Sequence, residues 1–186
     1  MSRGLHSDIT TELAKGSFTM AHLVSITLGT VASPNVYYYT DANNDLTESS
    51  NTYLANGFLL AMDPVTESSG MTLGTLNLTI SAVDQTILSD VLTNGYIHKA
   101  VVIKKAFLNS VNQLISSNAV FTIYDGNIEG MVIKDSRSSV IQFSVANQWA
   151  SFERIAGRIT TPDSQAQFYA DDVGFDFMAV SNKEGA

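Results

Sequence analysis

The sequence predicts a mainly β protein of the α+β kind, built from two β-rich halves with short helices. Side chains alternate between apolar and polar through residues 73–81, an apolar run fills the middle of residues 97–108, and helical spacing is confined to two short stretches. We expect the halves at residues 1–95 and 96–186, joined near Gly95. Since no Pro- or Ser-rich linker divides them, they are expected to pack closely.

The first half is predicted to begin with a short amphipathic helix and to continue as strands. Ser7 or Asp8 can cap this helix, and Gly16 suits its C-terminal end. Ile9 and Leu13 fall on one face of the helix. The segments with strand character in this half are residues 20–30, 36–40, 52–61 (broken at Asn56-Gly57) and 73–81.

A second helix is predicted over residues 84–93, where Asp84 can cap the start and Gly95 the end. The strand over residues 97–108 is apolar enough to be buried on both faces. Three lysines are taken to mark where that strand leaves the core. The apolar stripe of the helix is Ile87, Leu88, Val91 and Leu92, and the lysines are Lys99, Lys104 and Lys105.

The chain then reads as an antiparallel meander. Residues 119–124 and 128–134 flank Asp125-Gly126-Asn127, and an Asp-Gly pair is a strong signal for a hairpin turn. Residues 139–147 alternate again, which predicts another strand. From Gln148 onward the pattern gives way to a polar tail dotted with aromatic residues.

Composition excludes several classes of function. Eighteen acidic and ten basic residues leave a net charge of −8, which repels phosphate and disfavours a broad nucleic-acid-binding face. The absence of cysteine removes disulfides, thiolate nucleophiles and cysteine-bound zinc or iron–sulfur clusters. No secretory signal or membrane-spanning run is visible, so a protein made in the cytoplasm and without membrane contact is expected.

No pattern predicts a catalytic, cofactor-binding or metal-binding residue. His6, His22 and His98 lie far apart in sequence, and we interpret all three as structural. The chain has no nucleophile elbow of the G-x-S-x-G type and no glycine-rich phosphate loop. The protein is therefore expected not to be an enzyme.

Two acidic stretches raise the question of calcium. Asp41, Asn43 and Asp45 match the first ligands of a calcium loop, but Leu46 stands where the loop needs glycine and Thr52 where it needs glutamate. A hydrogen-bonded turn between strands is the favoured interpretation. A second group is interpreted as a solvated loop and consists of Asp171, Asp172 and Asp176.

The aromatic residues allow two interpretations. Tyr37, Tyr38 and Tyr39 could form a platform that stacks on sugars. They could equally form a strand with Tyr38 pointing inward and its neighbours outward, and packing or a subunit interface is the favoured reading. Trp149 and Phe152 are interpreted as a packing anchor.

Several short motifs, in a fixed order, resemble those of phage tail hub proteins, the family that includes the minor tail protein L of bacteriophage lambda and the hub proteins of gene transfer agents. The opening "L-x-x-G-x-x-T-x-A-H" and the following "T-D-x-D-x-D-L" are both represented, with Asn43 at the second aspartate position. The matching residues are Leu13, Gly16, Thr19, Ala21 and His22, then Thr40, Asp41, Asn43, Asp45 and Leu46, then Tyr53, Gly57 and Phe58, then Leu76, Leu78, Gly95 and Tyr96. The end of the chain is also similar, through Trp149, Phe152, Gly157-Arg158, Ser164-Gln165 and residues 172–175.

The resemblance implies an architectural part of the virion, without catalytic residues. It implies two tail-tube-like β-sandwich or barrel lobes per subunit and a homotrimer that forms a ring of six similar elements. Such a ring would connect the distal tail protein to a central fibre or spike and line the channel through which DNA passes without specific binding. Some relatives hold an iron–sulfur cluster on C-terminal cysteines, and this chain has none, so no cofactor is expected.

Three alternatives remain. A distal tail or tail tube protein would form a hexameric ring instead of a trimer. A sugar-binding module for host recognition would use residues 37–39. A cell-wall hydrolase is disfavoured, because neither a cysteine nor a recognisable metal triad or acid pair is present.

Overall fold

Nine strands and two helices make up the part of the chain that the structure, a computed structural model, describes: residues 6–30, 32–65, 75–83, 85–135 and 139–147. These residues belong to one compact unit, Met1–Ser151. In chain order the elements are α1 (Ser7–Ala14), β1 (Thr19–Gly29), β2 (Pro34–Thr40), β3 (Leu46–Glu48), β4 (Asn51–Tyr53), β5 (Leu59–Met62), β6 (Thr75–Ser81), α2 (Gln85–Asn94), β7 (Ala100–Leu108), β8 (Val120–Lys134) and β9 (Val140–Asn147).

Seven strands form one antiparallel sheet in the order β2-β1-β7-β8-β9-β6-β5, and β3 and β4 form a separate hairpin. The sheet curls like half a barrel, so the predicted mainly β fold with short helices is confirmed. β1 pairs with β7, and β6 pairs with β9, so strands from both sides of residue 95 are neighbours in the sheet. The division into lobes at residues 1–95 and 96–186 stays a prediction.

The buried side chains in the two halves of β1 point to opposite faces of the sheet. Near its start, Ala21 and Leu23 are buried beneath the β3–β4 hairpin, together with Leu46 of that hairpin. Further along, Val24 and Ile26 face the main core, which also contains residues of α2, β6 and β9. Because neighbouring strand residues point to opposite faces, this switch lets one strand support two separate layers.

β7 is a central strand, as predicted, but its burial differs from the prediction. Val101 and Ile103 are fully buried on the core face, whereas Val102 on the opposite face is only partly buried. The strand does not leave the core at Lys104 and Lys105. It continues between β1 and β8, and its last three residues are all buried, because the hairpin covers one face there and α1 with its neighbouring loop covers the other.

The predicted hairpin turn at Asp125-Gly126-Asn127 is wrong, because these residues lie inside the continuous strand β8. The first part of β8 pairs with β7 and the second part with β9, and the two pairings overlap at Gly126 and Asn127. A Cβ atom on Gly126 would lie 2.2 Å from the carbonyl oxygen of Ala146. The glycine therefore permits a close approach of two strands and does not form a turn.

The helices lie where they are predicted, with one difference at a cap. His6, not Ser7 or Asp8, is the N-cap of α1, and its imidazole accepts a hydrogen bond from the Asp8 amide. Gly16 and Gly95, after the two helices, both adopt the left-handed conformation expected there. The predicted cap Asp84 lies outside the described residues.

Candidate functional site

Three of the residues that carry the family resemblance meet where β1 and β2 lie side by side. They are His22, Thr40 and Asp41, and we call them the Asp41 corner. One carboxylate oxygen of Asp41 accepts a hydrogen bond from the His22 amide at 2.6 Å, and the other lies 2.7 Å from His22 Nδ1. The Thr40 hydroxyl donates to the His22 carbonyl at 2.8 Å. The corner thus fastens the end of β2 to β1 through both backbone and side-chain groups.

Electrostatics at the corner favour the ionised carboxylate. Partial burial would raise the pKa of Asp41, but the hydrogen bonds from His22 and its positive charge when protonated outweigh it and hold the pKa below 3.8. The Asp41 side chain is 43% exposed, so solvent screens this interaction.

The segment after the corner is folded back by further motif residues. The Asp45 carboxylate accepts a hydrogen bond from the Ala55 amide at 2.7 Å. Leu46 pairs with Tyr53 across the hairpin, and both are fully buried. Burial of two such side chains contributes about 1.5–3 kcal/mol each. The motif residues therefore act as an anchor that seats the β3–β4 hairpin on the sheet.

An ion pair joins this hairpin to the centre of the sheet. Lys104 Nζ on β7 lies 2.9 Å and 3.0 Å from the two carboxylate oxygens of Glu48. Both side chains are largely covered, at 25% and 10% exposure. The sequence predicts that Lys104 lies where the strand leaves the core. The hairpin that covers Lys104 is distant in sequence, so local patterns do not reveal this cover.

The calcium interpretation gains no support from the geometry. The Asp41 and Asp45 carboxylates already accept hydrogen bonds from different protein groups, and Asn43 is exposed. Among the described residues, no three acidic or histidine side chains gather as a metal site would need. The acidic group at residues 171–176 lies outside the described part of the chain.

The three consecutive tyrosines do not form an exposed row. Tyr39 is buried in the main core with its ring against Phe58, and Tyr37 packs on the same core. Tyr38 lies on the opposite face, where its ring meets the Tyr53 ring edge-on at a centroid distance of 5.1 Å. The predicted orientation, with Tyr38 inward and its neighbours outward, is therefore wrong. The rings pack on two faces, as an alternating strand requires.

A second polar cluster, which the sequence analysis missed, lies at the other end of β2. We call it the Asp90 lock. Asp90 of α2 accepts hydrogen bonds from Asn35 and Tyr37 of β2, both at 2.9 Å, and from Asn94 one helical turn later. Asp90 is only 8% exposed. The ammonium of Lys99, just before β7, donates to the Gly29 carbonyl at the end of β1.

The lock stabilises a buried negative charge. Burial alone would raise the pKa of Asp90, but the three hydrogen bonds outweigh it, with help from the Lys99 charge, and hold the pKa below 3.8. A signal was present in the sequence, because Asp90 lies three residues after Ile87 and therefore on the buried side of the helix. An acid on that side requires partners.

The remaining candidates are dispersed. His6 caps α1, and His98 adopts a left-handed conformation just before β7. Trp149 and Phe152, with the other C-terminal motif residues, lie outside the described part of the chain. Neither described helix is long and apolar enough to cross a membrane.

Comparison with known proteins gives one family and a similar solved structure. The family model described as "Baseplate hub protein, N-terminal attachment domain" matches residues 6–172. No curated protein matches the chain. Among solved structures, a chain from the "Virion of native gene transfer agent (GTA) particle" is similar, with a TM-score of 0.66 and 16% identity. The match covers 84% of this chain and 50% of that chain, and at this identity it shows a shared fold.

The fold and the family match lead to the same conclusion. This mainly β unit shares its fold with a virion protein, and the family model covers all of the described residues. The predicted resemblance to phage tail hub proteins is thereby confirmed. The chain belongs to the family of baseplate hub N-terminal attachment domains, which are structural parts of the phage tail.

Proposed function

We propose that this protein is the hub subunit of a phage tail tip, and that three copies form a ring between the distal tail protein and a central fibre or spike. The observation that carries the proposal is the match of residues 6–172 to an attachment domain of baseplate hubs. An attachment domain has to bind a neighbouring ring. The protein would act without catalysis, cofactor or metal.

We further propose that the ring lines a channel for DNA, and the charge of the chain supports this. The net charge of −8 repels phosphate groups, so DNA would slide past without binding. The similar chain in the gene transfer agent virion is about twice as long as the matched part, so its other partners are no guide here.

Copy number in the assembled particle tests this proposal. Electron cryomicroscopy of the tail tip, with native mass spectrometry of a purified subcomplex, should give three copies around one axis. Six copies would contradict the hub assignment and favour a distal tail or tail tube protein. A monomeric isolated chain is compatible with the proposal, because a ring can depend on its neighbours to close.

A further inference from the structure

Two Asn-Gly pairs occur in the chain, Asn56-Gly57 and Asn94-Gly95. Asparagine is a thermolabile residue. Its side-chain carbonyl carbon, Cγ, can be attacked by the backbone nitrogen of the following residue, and a following glycine obstructs this attack least because it has no side chain. Both pairs share this local chemistry, so a difference between them in the folded protein comes from the structure.

The first pair lies in the exposed turn between β4 and β5. The Asn56 side-chain oxygen accepts a hydrogen bond from the Phe58 amide at 3.1 Å, which closes a turn around Gly57. This bond polarises the Asn56 side-chain carbonyl and makes Cγ a better electrophile. Asn56 and Gly57 are both exposed, and a Cβ atom on Gly57 would have no heavy atom beyond its chain neighbours within 4 Å. The turn thus has room for a succinimide ring.

The Gly57 amide is available as the nucleophile. Gly57 lies outside the strands, and its amide donates no hydrogen bond to another described residue. An exposed amide without such a bond exchanges its proton with solvent more readily than a bonded one. Nucleophile, electrophile and water therefore meet in this turn.

The second pair is held in an arrangement that prevents the same attack. Asn94 is the last residue of α2, and its side-chain nitrogen donates to the Asp90 carboxylate at 2.5 Å. Asp90 lies one turn back along the helix, whereas Gly95 follows Asn94, so this hydrogen bond directs Cγ of Asn94 away from the Gly95 nitrogen. The negative charge of Asp90 also opposes the negative charge that develops on an attacked carbonyl.

We propose that Asn56 is a site of spontaneous deamidation in the folded protein and that Asn94 is protected from it. The deprotonated Gly57 nitrogen forms a bond to Asn56 Cγ, and the bond from Cγ to Nδ2 breaks. The leaving nitrogen takes up a proton in place of the one that Gly57 lost, to give ammonia. Water then opens the ring at Cγ, which gives aspartate, or at the backbone carbonyl, which gives isoaspartate. Water is the co-reactant, and no oxidation or reduction takes place.

The change alters the segment that follows the β3–β4 hairpin. Either product adds one negative charge to a chain whose net charge is already −8. The new carboxylate stands next to Ala55, whose amide is bound by the Asp45 carboxylate at 2.7 Å, so repulsion between the two carboxylates weakens this anchor of the hairpin. A virion makes no new protein, so the product accumulates with the age of the particle.

Peptide mass analysis of the purified full chain, stored at pH 6 and at pH 9, tests the proposal. Conversion of the amide to a carboxylate changes the mass of the peptide, and Asn56→Asp supplies the chromatographic standard for the aspartate product. In the folded protein we expect conversion at Asn56 to be about tenfold or more faster than at Asn94, because local structure protects the second site. Conversion should be faster at pH 9, since the attack needs a deprotonated amide. In urea the two rates should become similar, because both asparagines then precede glycine in an unfolded chain.

Equal rates at Asn56 and Asn94 in the folded protein would overturn the proposal, and so would conversion of Asn56 in urea alone. Asn56→Gln is the matched control, because it keeps an amide but moves the carbonyl carbon one methylene further from the Gly57 nitrogen. This variant should keep the melting temperature of the parent chain and lose the conversion. Conversion of the same peptide at the parent rate in Asn56→Gln would show that another residue is modified, which also contradicts the assignment.

Discussion

The two ends of β2 are each held by a carboxylate, and the two sites differ in almost every other respect. At one end Asp90 is 8% exposed and accepts hydrogen bonds from three neutral side chains. At the other end Asp41 is 43% exposed and accepts from the amide and the imidazole of a single residue, His22. The first joins a helix to the sheet, and the second joins two adjacent strands.

The residues that carry the family resemblance are not the ones that we expect to contribute most to stability. His22 and Asp41 belong to the motifs by which the chain resembles hub proteins, yet solvent screens their interaction. Asp90 belongs to no quoted motif, yet it is only 8% exposed and is held by hydrogen bonds from three side chains, of which Tyr37 and Asn94 are themselves partly buried. We therefore expect the lock to contribute most to stability, and the corner to contribute mainly to the placement of the hairpin.

The largest effect is expected for Asp90→Ala. The change leaves the Asn35, Tyr37 and Asn94 donors without their common acceptor, and two of them, Tyr37 and Asn94, are partly buried. Donors left unsatisfied in this way cost about 3 kcal/mol, a large share of the stability of a domain. Urea unfolding at neutral pH measures it. Glu129→Ala is the matched control, since it removes one negative charge from an exposed position and should change stability by less than about 0.5 kcal/mol. Equal midpoints for the two variants would contradict the comparison.

A smaller, pH-dependent effect is expected for Asp90→Asn. The amide keeps the shape of the side chain but directs a donor at groups that are themselves donors, at a cost of about 1–3 kcal/mol. The pKa of Asp90 in the folded protein is below 3.8. The stabilisation by the carboxylate is therefore fully present above the pKa of the unfolded chain, and it is lost as the pH falls from there through the lower folded value.

The measurement is the difference in unfolding free energy between the parent chain and Asp90→Asn at pH 7, 5 and 3. The difference should be the same at pH 7 and 5 and should begin to narrow at pH 3. Other carboxylates titrate in both proteins, so their effects largely cancel. A difference in unfolding free energy that is as large at pH 3 as at pH 7 would show that the pKa of Asp90 is not lowered by folding.

The Asp41 corner should respond only weakly. In a double-mutant cycle of Asp41→Ala and His22→Ala, the coupling free energy is expected to be below about 1 kcal/mol, as for other solvent-exposed pairs. Asp41→Ala should cost more than His22→Ala, because only the first also removes the acceptor of the His22 amide. Chemical unfolding of the two single variants and the double variant measures this coupling. A coupling of several kcal/mol would show that the Asp41 corner contributes as much to stability as the Asp90 lock.

Features that depend on residues close together in sequence were predicted well, and features that depend on residues far apart in sequence were not. Helix positions and the alternating strands such as β6 follow from local periodicity, and they are found as predicted. The turn at Gly126 is not found, because Asp-Gly signals a turn only where no other strand needs the space that glycine leaves. That requirement comes from Ala146, twenty residues further along the chain.

The residues of the Asp41 corner were indicated by the sequence, whereas the contacts of Asp90 and Lys104 were not. The motif pointed to His22 and Asp41, whose contact depends on pairing between consecutive strands, β1 and β2. Two of the three partners of Asp90, Asn35 and Tyr37, lie more than fifty residues away in sequence, as does the Glu48 partner of Lys104. Periodicity indicates which side of an element is buried but not which donor meets which acceptor across the fold.

The smallest effect is expected for calcium, which should leave the melting temperature of the chain unchanged. The carboxylates of Asp41 and Asp45 are bonded to protein groups, and Leu46 and Thr52 replace the glycine and the glutamate that a calcium loop requires. Calcium at ten times the dissociation constant of a real site would add about 1.4 kcal/mol, or about 3–6 °C for a chain of this size. Thermal unfolding with 10 mM of calcium or magnesium, concentrations chosen to be about ten times a weak millimolar constant, measures the difference. A rise with calcium alone that Asp41→Ala abolishes would contradict the prediction and make the corner a metal site.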